Sequence, residues 1–483
     1  MRPQAQIARG DAEFGALGLP IGFQVELDAR VRILSDGAAL LGGAPTRLLR
    51  LTPKAQSLIV GRQLTVRDAV TAKLARTLLD AAVAHPRPNF CPSVDDLTVV
   101  IPVRDNLSGL RRLVSTLIEI PVVIVDDASL DPIDASHLGD PGAKVTVIRH
   151  DSSRGPAAAR NTGLAACTTE YVAFLDSDVV PRPGWIEAVL RHFSDPAVAL
   201  AAPRIEAFSR SGGVVARYEA IRSSLDLGTS ESPIVPYGPV SYVPSAAIVG
   251  RRAVLVELGG FDEQLTSGED VDLCWRLFDS GARLRYDPSG LVAHDHRVSL
   301  KKWLARRAFY GTSAAPLWRR HPDKIAPLKL SRWTLALWLL IATGSRLSWV
   351  SAVVVGVGGT HRTAAALAGV GLRQRDVAVI ATEGIVGAGM QLASALCRQY
   401  WPAALFGAIV SRRIRRVVVA SAVVDGVTDW CNRRDKAGET DRHIGLLTYL
   451  VLRRLDDLAY GTGLWSGVVR HRTVGPLKPL FCH

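Results

Sequence analysis

The chain has 483 residues, 48% of them apolar, which is enough for two or three domains with real cores and excludes a wholly disordered protein. Its net charge of +13 comes from arginine, since only nine of its 58 basic residues are lysine, and suits a phosphorylated substrate or an anionic membrane face. No zinc-knuckle, RNP-like or basic-zipper pattern occurs, so no nucleic-acid partner is expected. Cys91, Cys167, Cys274, Cys397, Cys431 and Cys482 form no CxxC pair, which argues against a zinc site and a disulfide scaffold and fits a reducing cytoplasm. The opening MRPQAQIARGDAEFG lacks the apolar core of a secretion signal, so the first 300 residues are expected on the cytoplasmic side.

Residues 22 to 84 read as a small unit. GFQVELDARVRIL alternates apolar and polar residues as a strand does, and SDGAALLGG supplies a turn and a second strand. TRLLRLTPKAQSLIVGRQ turns to helical spacing, and LTVRDAVTAKLARTLLDAAVA is an amphipathic helical stretch broken at Val66–Asp68. HPRPNFCPSVDD, with three prolines and no periodicity, reads as a linker. Next come LTVVIPV, VVIVD, KVTVIR and YVAFLD, short runs as continuously apolar as buried parallel strands. SGLRRLVSTLIEI and GPAAARNTGLAACT carry helical spacing between them, an alternation that makes a doubly wound sheet with ligands at the carboxyl ends of its strands.

Two acidic pairs fall at such ends, Asp126–Asp127 and Asp176 with Asp178. Buried carboxylates are costly unless paired, and two at one strand end suit a hard divalent cation; a solvated turn before Pro181 is the plain alternative. Beyond residue 327 the composition turns apolar. RWTLALWLLIATGSRLSWVSAVVVGVGG is 28 residues long, enough for about 30 Å of hydrocarbon, with Arg346 in its middle. Later runs hold Asp376, Glu383 and four arginines. Helices lying in the membrane interface, with arginine reaching toward anionic headgroups, fit this pattern at least as well as spans, and a soluble helical bundle is the plain alternative.

Five patches stand in a definite order: VVIPVRDN, VVIVDDAS, RGPAAARNTG, FLDSD and GEDVDLCWRL. Together they resemble the family 2 glycosyltransferases of the GT-A fold over roughly residues 97 to 300. The strand-then-helix order of the N-terminal unit resembles the PqqD-like peptide-recognition modules, with a small capping domain as the alternative. With LRRLDDLAYGTGLWSG near the C-terminus, it narrows the likeness to the glycosyltransferases of mycofactocin biosynthesis. The resemblance implies an α/β chain in three parts: a PqqD-like module at 1–90 that recognises the acceptor, a GT-A domain at 91–326, and an apolar helical region at 327–483 on the cytoplasmic side of the cell membrane.

The activity so implied is inverting transfer of a sugar, glucose from UDP-glucose, onto a small peptide-derived acceptor, in one or several β-1,4-linked units. Mg2+ or Mn2+ would neutralise the departing diphosphate. By the resemblance Asp178 is the metal ligand, Asp176 meets the ribose or donor sugar, and Asp127 accepts a hydrogen bond from the uracil ring. Arg154 and Arg160 flank a helix start that favours anions, and at least one is expected near the nucleotide; the alternative is two solvated arginines. Glu269 and Asp270 open a helix, where the dipole keeps a carboxylate ionised. The family's base matches Asp270, with Glu269 orienting the acceptor; an acidic helix cap is the alternative. His294 falls where some members complete the metal shell, and His296 alternates with it onto the opposite face. LARRAFYGT stands where processive synthases carry QxxRW, so a polysaccharide channel is not expected. Two rivals stay open: a polyprenyl-phosphate or other lipid-directed transferase, and an inactive peptide scaffold.

Overall fold

The computed structural model describes residues 18–44, 46–138, 144–208, 213–295, 299–367, 374–434 and 444–482. The chain divides into two compact units, one of Met1–Ser209 with Ser223–His296, the other of Arg210–Arg222 with Arg297–His483. The N-terminal module therefore shares a unit with the central sheet.

In that module strand β1 (Gln24–Leu27) alternates as its sequence does, sending Val25 and Leu27 into a core with Phe23, Leu64 and Leu78. Strands β2 (Arg32–Leu34), β3 (Ala39–Gly42) and β4 (Arg47–Arg50) make one antiparallel sheet, while β5 (Gln63–Thr65) and β6 (Ala84–Arg87) flank β1 in another. Two expectations change here. Arg47–Arg50 is a strand rather than the start of a helix, because Pro53 has no N–H to give and opens its helix, Pro53–Leu58, behind the Thr52 cap. The presumed linker begins as β6, since Pro86 is tolerated on an edge strand. The break at Val66–Asp68 is the cap of helix Ala69–Asp80: Asp68 accepts from Thr71 N–H at 2.8 Å while Thr71 Oγ1 takes Asp68 N–H at 2.9 Å.

Ion pairs join the module to the sheet. Arg76 grips Asp195 through both terminal nitrogens at 2.7 Å, and Arg283 grips Asp80 through two bonds of 2.9 Å. Arg87 reaches Glu231 at 2.6 Å. A cavity of about 430 Å3 runs along the seam, lined by Arg76, Pro86, His192, Val235, Phe278 and Arg285.

The sheet contains the four expected strands, β7 (Leu97–Val103), β8 (Val122–Asp126), β9 (Val145–Arg149) and β10 (Tyr171–Leu175). To these it adds β11 (Val179–Pro181), β12 (Val198–Ala207), β13 (Ser232–Pro233), β14 (Ala247–Arg251) and β15 (Arg283–His294). Its order is β11-β15-β12-β14-β10-β7-β8-β9, with β13 paired to β15. The pairings β10–β7, β7–β8, β8–β9 and β12–β15 are parallel, whereas β14 is antiparallel to both β10 and β12. Six strands thus run one way, and their carboxyl ends share one edge with the start of β14. The chain winds from β7 through β8 to β9, then crosses to β10 on the other side of β7, leaving a crevice at that edge.

The second unit is helical among its described residues, apart from the short pair β16 (Lys329–Ser331) and β17 (Leu480–Cys482). The long apolar run is two helices, Arg332–Thr343 and Arg346–Leu367, because Gly344 takes φ 65°. Arg346 therefore starts a helix instead of interrupting one. The arginine-rich run likewise splits at Ser411 into Trp401–Val410 and Arg412–Arg434. Among the described residues one helix, Gln374–Arg398, is long and apolar enough to cross a membrane. Helix Val214–Arg222, inserted in sequence between β12 and β13, belongs to this unit: Glu219 meets Arg307 at 2.6 Å and Arg222 meets Asp429 at 2.5 Å.

LRRLDDLAYGTGLWSG lies on helix Leu446–Arg470. Arg453 meets Asp457 at 2.9 Å and Arg307 meets Asp456 at 3.1 Å, so its buried acids are paired. Its glycines admit a neighbouring backbone: a Cβ on Gly463 would stand 1.8 Å from Ala308 O, on helix Leu300–Thr312. Gly463→Val should therefore lower stability by about 3 kcal/mol, read as a fall in Tm. Gly387→Ala, where a Cβ meets nothing within 4 Å, should leave Tm unchanged or raise it slightly. Equal Tm values for Gly463→Val and wild type would remove the close-packing account.

Candidate active site

The shared edge gathers the predicted residues into three clusters. The first is Asp178 with His294. Asp178 follows β10, and Val179 of β11 pairs with His294, the last residue of β15. Their side chains approach at 3.4 Å from His294 Nε2 to Asp178 Oδ1, and Asp295 N–H donates to Asp178 O at 2.9 Å. Neighbouring ligand atoms on a small octahedral cation lie on the order of 3 Å apart, so a carboxylate and an imidazole at this spacing fit one ion. Among the described residues no group of three or more His, Cys, Asp or Glu could hold a metal. His296 lies outside the described residues.

Ser177 turns the other way. Its hydroxyl accepts from Asn106 Nδ2 at 3.1 Å, and its carbonyl sits 2.5 Å from where a Cβ on Gly109 would be. Asn106 also caps helix Leu107–Val114 by accepting from Gly109 N–H at 3.2 Å. The turn carrying the acids is thus braced by the first patch. Sequence reasoning assigned Asn106 no role, although its spacing to Gly109 is a cap signal.

The second cluster is held by Arg160. Its helix, Pro156–Ala166, packs against β7 where a Cβ on Gly163 would lie 2.2 Å from Val100. Asn161 ties the same helix to the segment before the GED patch, donating to Phe261 O at 2.9 Å and accepting from Phe261 N–H at 2.8 Å. Arg160 is buried, donates to Asp176 Oδ1 at 2.7 Å and to Glu269 Oε1 at 3.1 Å, and lies 5.4 Å from the centre of the Phe261 ring. Both of its terminal nitrogens are engaged by the protein's own carboxylates.

Asp270 stands beside this pair. Gly268 takes φ 85° to start helix Glu269–Asp279, and Asp270 accepts from Val271 N–H at 2.8 Å and Ser245 N–H at 3.4 Å. Ser245 reaches it because β14 begins at the shared carboxyl edge; nothing in the sequence marks that residue. Burial, then the neighbouring Glu269 carboxylate, pushes the Asp270 carboxyl up to about 7, against the opposing pull of Val271 N–H, Arg160 and Ser245 N–H. A carboxylate of that basicity suits proton abstraction near neutral pH.

Asp127 and Arg154 make the third cluster. Asp127 accepts from His150 Nδ1, Arg154 N–H and Ser153 Oγ at 2.8 Å each, and from Gly155 N–H at 2.9 Å. Burial opposes its ionisation, yet these four donors hold the carboxyl down at about 2. The anion at this helix start is therefore Asp127 itself. Its four lone-pair positions are filled, so a uracil N–H would have to displace one of these donors. The Arg154 guanidinium is exposed and meets Glu263 at 3.1 Å. Asp126 accepts from Ser129 and Ile133 N–H and from Arg149, bracing the loop after β8.

A sheet of this order with acids at its carboxyl edge defines the GT-A class, and the model of Glycosyl transferase family 2 matches residues 98–259. Over 464 residues, 96% of this chain and 99% of the relative, the sequence is 58% identical to the Pre-mycofactocin glycosyltransferase of Mycobacterium tuberculosis (strain ATCC 25618 / H37Rv). It is 27% identical over 228 residues to the Succinoglycan biosynthesis protein ExoO of Rhizobium meliloti (strain 1021), covering 45% of this chain and 66% of that one. A solved Mannosyltransferase PcManGT from Pyrobaculum calidifontis is similar over 72% of this chain and 91% of its own, at 17% identity and a TM-score of 0.36. The chain belongs to the pre-mycofactocin glycosyltransferases of family 2.

Removing the Arg160 charge should leave Asp176 and Glu269 uncompensated. Arg160→Met is expected to cost about 3 kcal/mol in denaturant unfolding, and adding Glu269→Gln should recover part of that loss. Strict additivity of the two substitutions would show that Arg160 does not bind the two carboxylates as one unit.

Proposed function

We propose that the chain is an inverting, metal-dependent transferase that moves glucose from UDP-glucose onto pre-mycofactocin, a peptide-derived redox-cofactor precursor, in one or several β-1,4-linked units. The observation that carries this reading is the identity of 58% over 96% of the chain to a Pre-mycofactocin glycosyltransferase. The acid clusters on one sheet edge support it. The acceptor hydroxyl oxygen bonds to the anomeric carbon as the bond from that carbon to the diphosphate oxygen breaks, and Asp270 takes the hydroxyl proton. Glu269, fixed by Arg160, orients the acceptor, and Asp176 meets the donor's sugar or ribose. Asp127 and Arg154 shape the nucleotide side. Asp178 and His294 would hold Mg2+ or Mn2+, which supplies charge neutralisation for the departing diphosphate.

In this reading residues 1–90 select the acceptor, supported by the cavity of about 430 Å3 that the module shares with the catalytic sheet. The helical region attaches the enzyme to the cytoplasmic face of the cell membrane. Helix Gln374–Arg398, by length and composition, and the many exposed apolar side chains of the second unit support that attachment.

Labelled UDP-glucose tests donor and acceptor together. Label should move to a water-soluble small acceptor and increase with manganese; label in an organic-extractable lipid would favour the lipid-directed rival instead. Asp178→Asn should abolish transfer and the manganese response of UDP binding without unfolding the protein; activity above a tenth of wild type would remove its metal role.

Asp270→Asn should keep UDP affinity while turnover falls about 10²-fold or more. Because the Asp270 carboxyl is raised to about 7 and must be ionised to act, kcat/KM in wild type should climb as pH rises through that value. A profile already flat from pH 5 upward would contradict Asp270 as the base.

A further inference from the structure

The junction of helices Trp401–Val410 and Arg412–Arg434 presents a surface that the transfer reaction does not use. Of the ten residues in the first helix only Ala404 is buried. Phe406, Ile409 and Val410 are each 71% exposed and Leu405 is 53% exposed. Contiguous apolar exposure of this kind marks an interaction site rather than a solvated helix. At ten residues the helix is about 15 Å long, half of the roughly 30 Å hydrocarbon layer, so it cannot span.

The chain then turns at Ser411 into Arg412, Arg413, Ile414, Arg415 and Arg416, all exposed. No acidic residue stands between Glu383 and Asp425, and among the described residues these four arginines make no ion pair. Arg415 reaches back only to Ala408 O, at 3.4 Å. A helix surface meant for water usually interleaves both signs of charge, whereas this one joins an apolar tip to an uncompensated cationic rim.

We infer that this corner docks on a bilayer surface containing anionic phospholipid. Leu405, Phe406, Ile409 and Val410 enter the boundary between headgroups and acyl chains, and the four arginines meet lipid phosphates. The inference rests on the membrane attachment proposed above and assigns that attachment to one stretch of chain. Charge complementarity selects the occupant. Arginine is suited to it because the guanidinium presents paired donors to phosphate oxygens.

Flotation of the full-length protein with vesicles tests the assignment, using phosphatidylcholine alone and phosphatidylcholine mixed with phosphatidylglycerol. Wild type should prefer the anionic vesicles and lose that preference at about 1 M salt, where the Debye length is near 3 Å. Replacing Arg412, Arg413, Arg415 and Arg416 together by Gln should weaken anionic binding about 10²-fold or more, while Lys at all four should keep most of it. Phe406→Ser with Ile409→Ser should weaken binding to both vesicle types. All three variants should retain wild-type sugar transfer in detergent. If the Gln variant floats as well as wild type, the corner is not the contact and its arginines serve another partner, such as an acidic protein, although membrane attachment itself survives. Wild type that floats with neither vesicle removes the attachment and the corner together.

Discussion

The buried guanidinium of Arg160 is the constraint on which the acid-bearing carboxyl edge of the sheet depends. One side chain, 3% exposed, holds Asp176 from the turn after β10 and Glu269 from the start of a helix far along the chain. Two carboxylates brought to one crevice repel each other, and a fixed cation between them offsets that repulsion. It also sets neighbouring acids apart by their partners. Glu269 and Asp176 have Arg160 as a direct partner, whereas Asp270 has backbone donors and a like-charged neighbour. Burial, then the Glu269 carboxylate, pushes the Asp270 carboxyl up.

A second level of organisation fixes the N-terminal module to the sheet. The seam is built from paired contacts of the fork type, Arg76 to Asp195 and Arg283 to Asp80, which specify orientation as well as proximity. His85 adds a buried link: its Nε2 lies 2.8 Å from Asp28 Oδ2, and its Nδ1 receives Arg285 at 3.1 Å. Burial lowers the pKa of both His85 and Arg285, so the neutral ring can accept from the guanidinium. A module held so specifically presents one fixed surface beside the sheet.

The parts of this fold legible in the sequence are those where one local rule operates alone. β7, β8 and β10 are buried on both faces and read as unbroken apolar runs, while β9, at the sheet edge, is only partly buried; the acids that close β8 mark a strand end, and Asp126 is buried there because Ser129, Ile133 and Arg149 pair with it. β15 escaped notice because it carries Arg285 and Asp287 inside, where Asp287 is matched by His192 at 2.7 Å and Arg191 at 2.6 Å. Polar residues satisfied by distant partners break the alternation on which strand reading relies. Likewise β6 was hidden by its prolines, and the 28-residue apolar run concealed a helix boundary because Gly344 reads as one more small residue. For the site, residue types were readable but pairings were not. Arg160 is separated from Glu269 by 109 positions, and nothing local shows that its charge is spent on protein carboxylates.

Helix Val214–Arg222 has a consequence for the order in which the molecule is made. The chain leaves the catalytic sheet after β12, contributes this helix to the second unit, and returns to complete β13, β14 and β15. Its partners are synthesised much later: Tyr218 meets Asp456 after 238 residues and Arg222 meets Asp429 after 207. On the ribosome, where chains emerge at about 5–20 residues per second, the helix waits roughly 10 to 50 seconds with the Tyr218 hydroxyl and the Arg222 guanidinium unmatched. Contacts of such range are entropically slow to close. Completion of the second unit is thus tied to the end of translation, and helix Leu446–Arg470, nearly the last element to emerge, supplies its final partners.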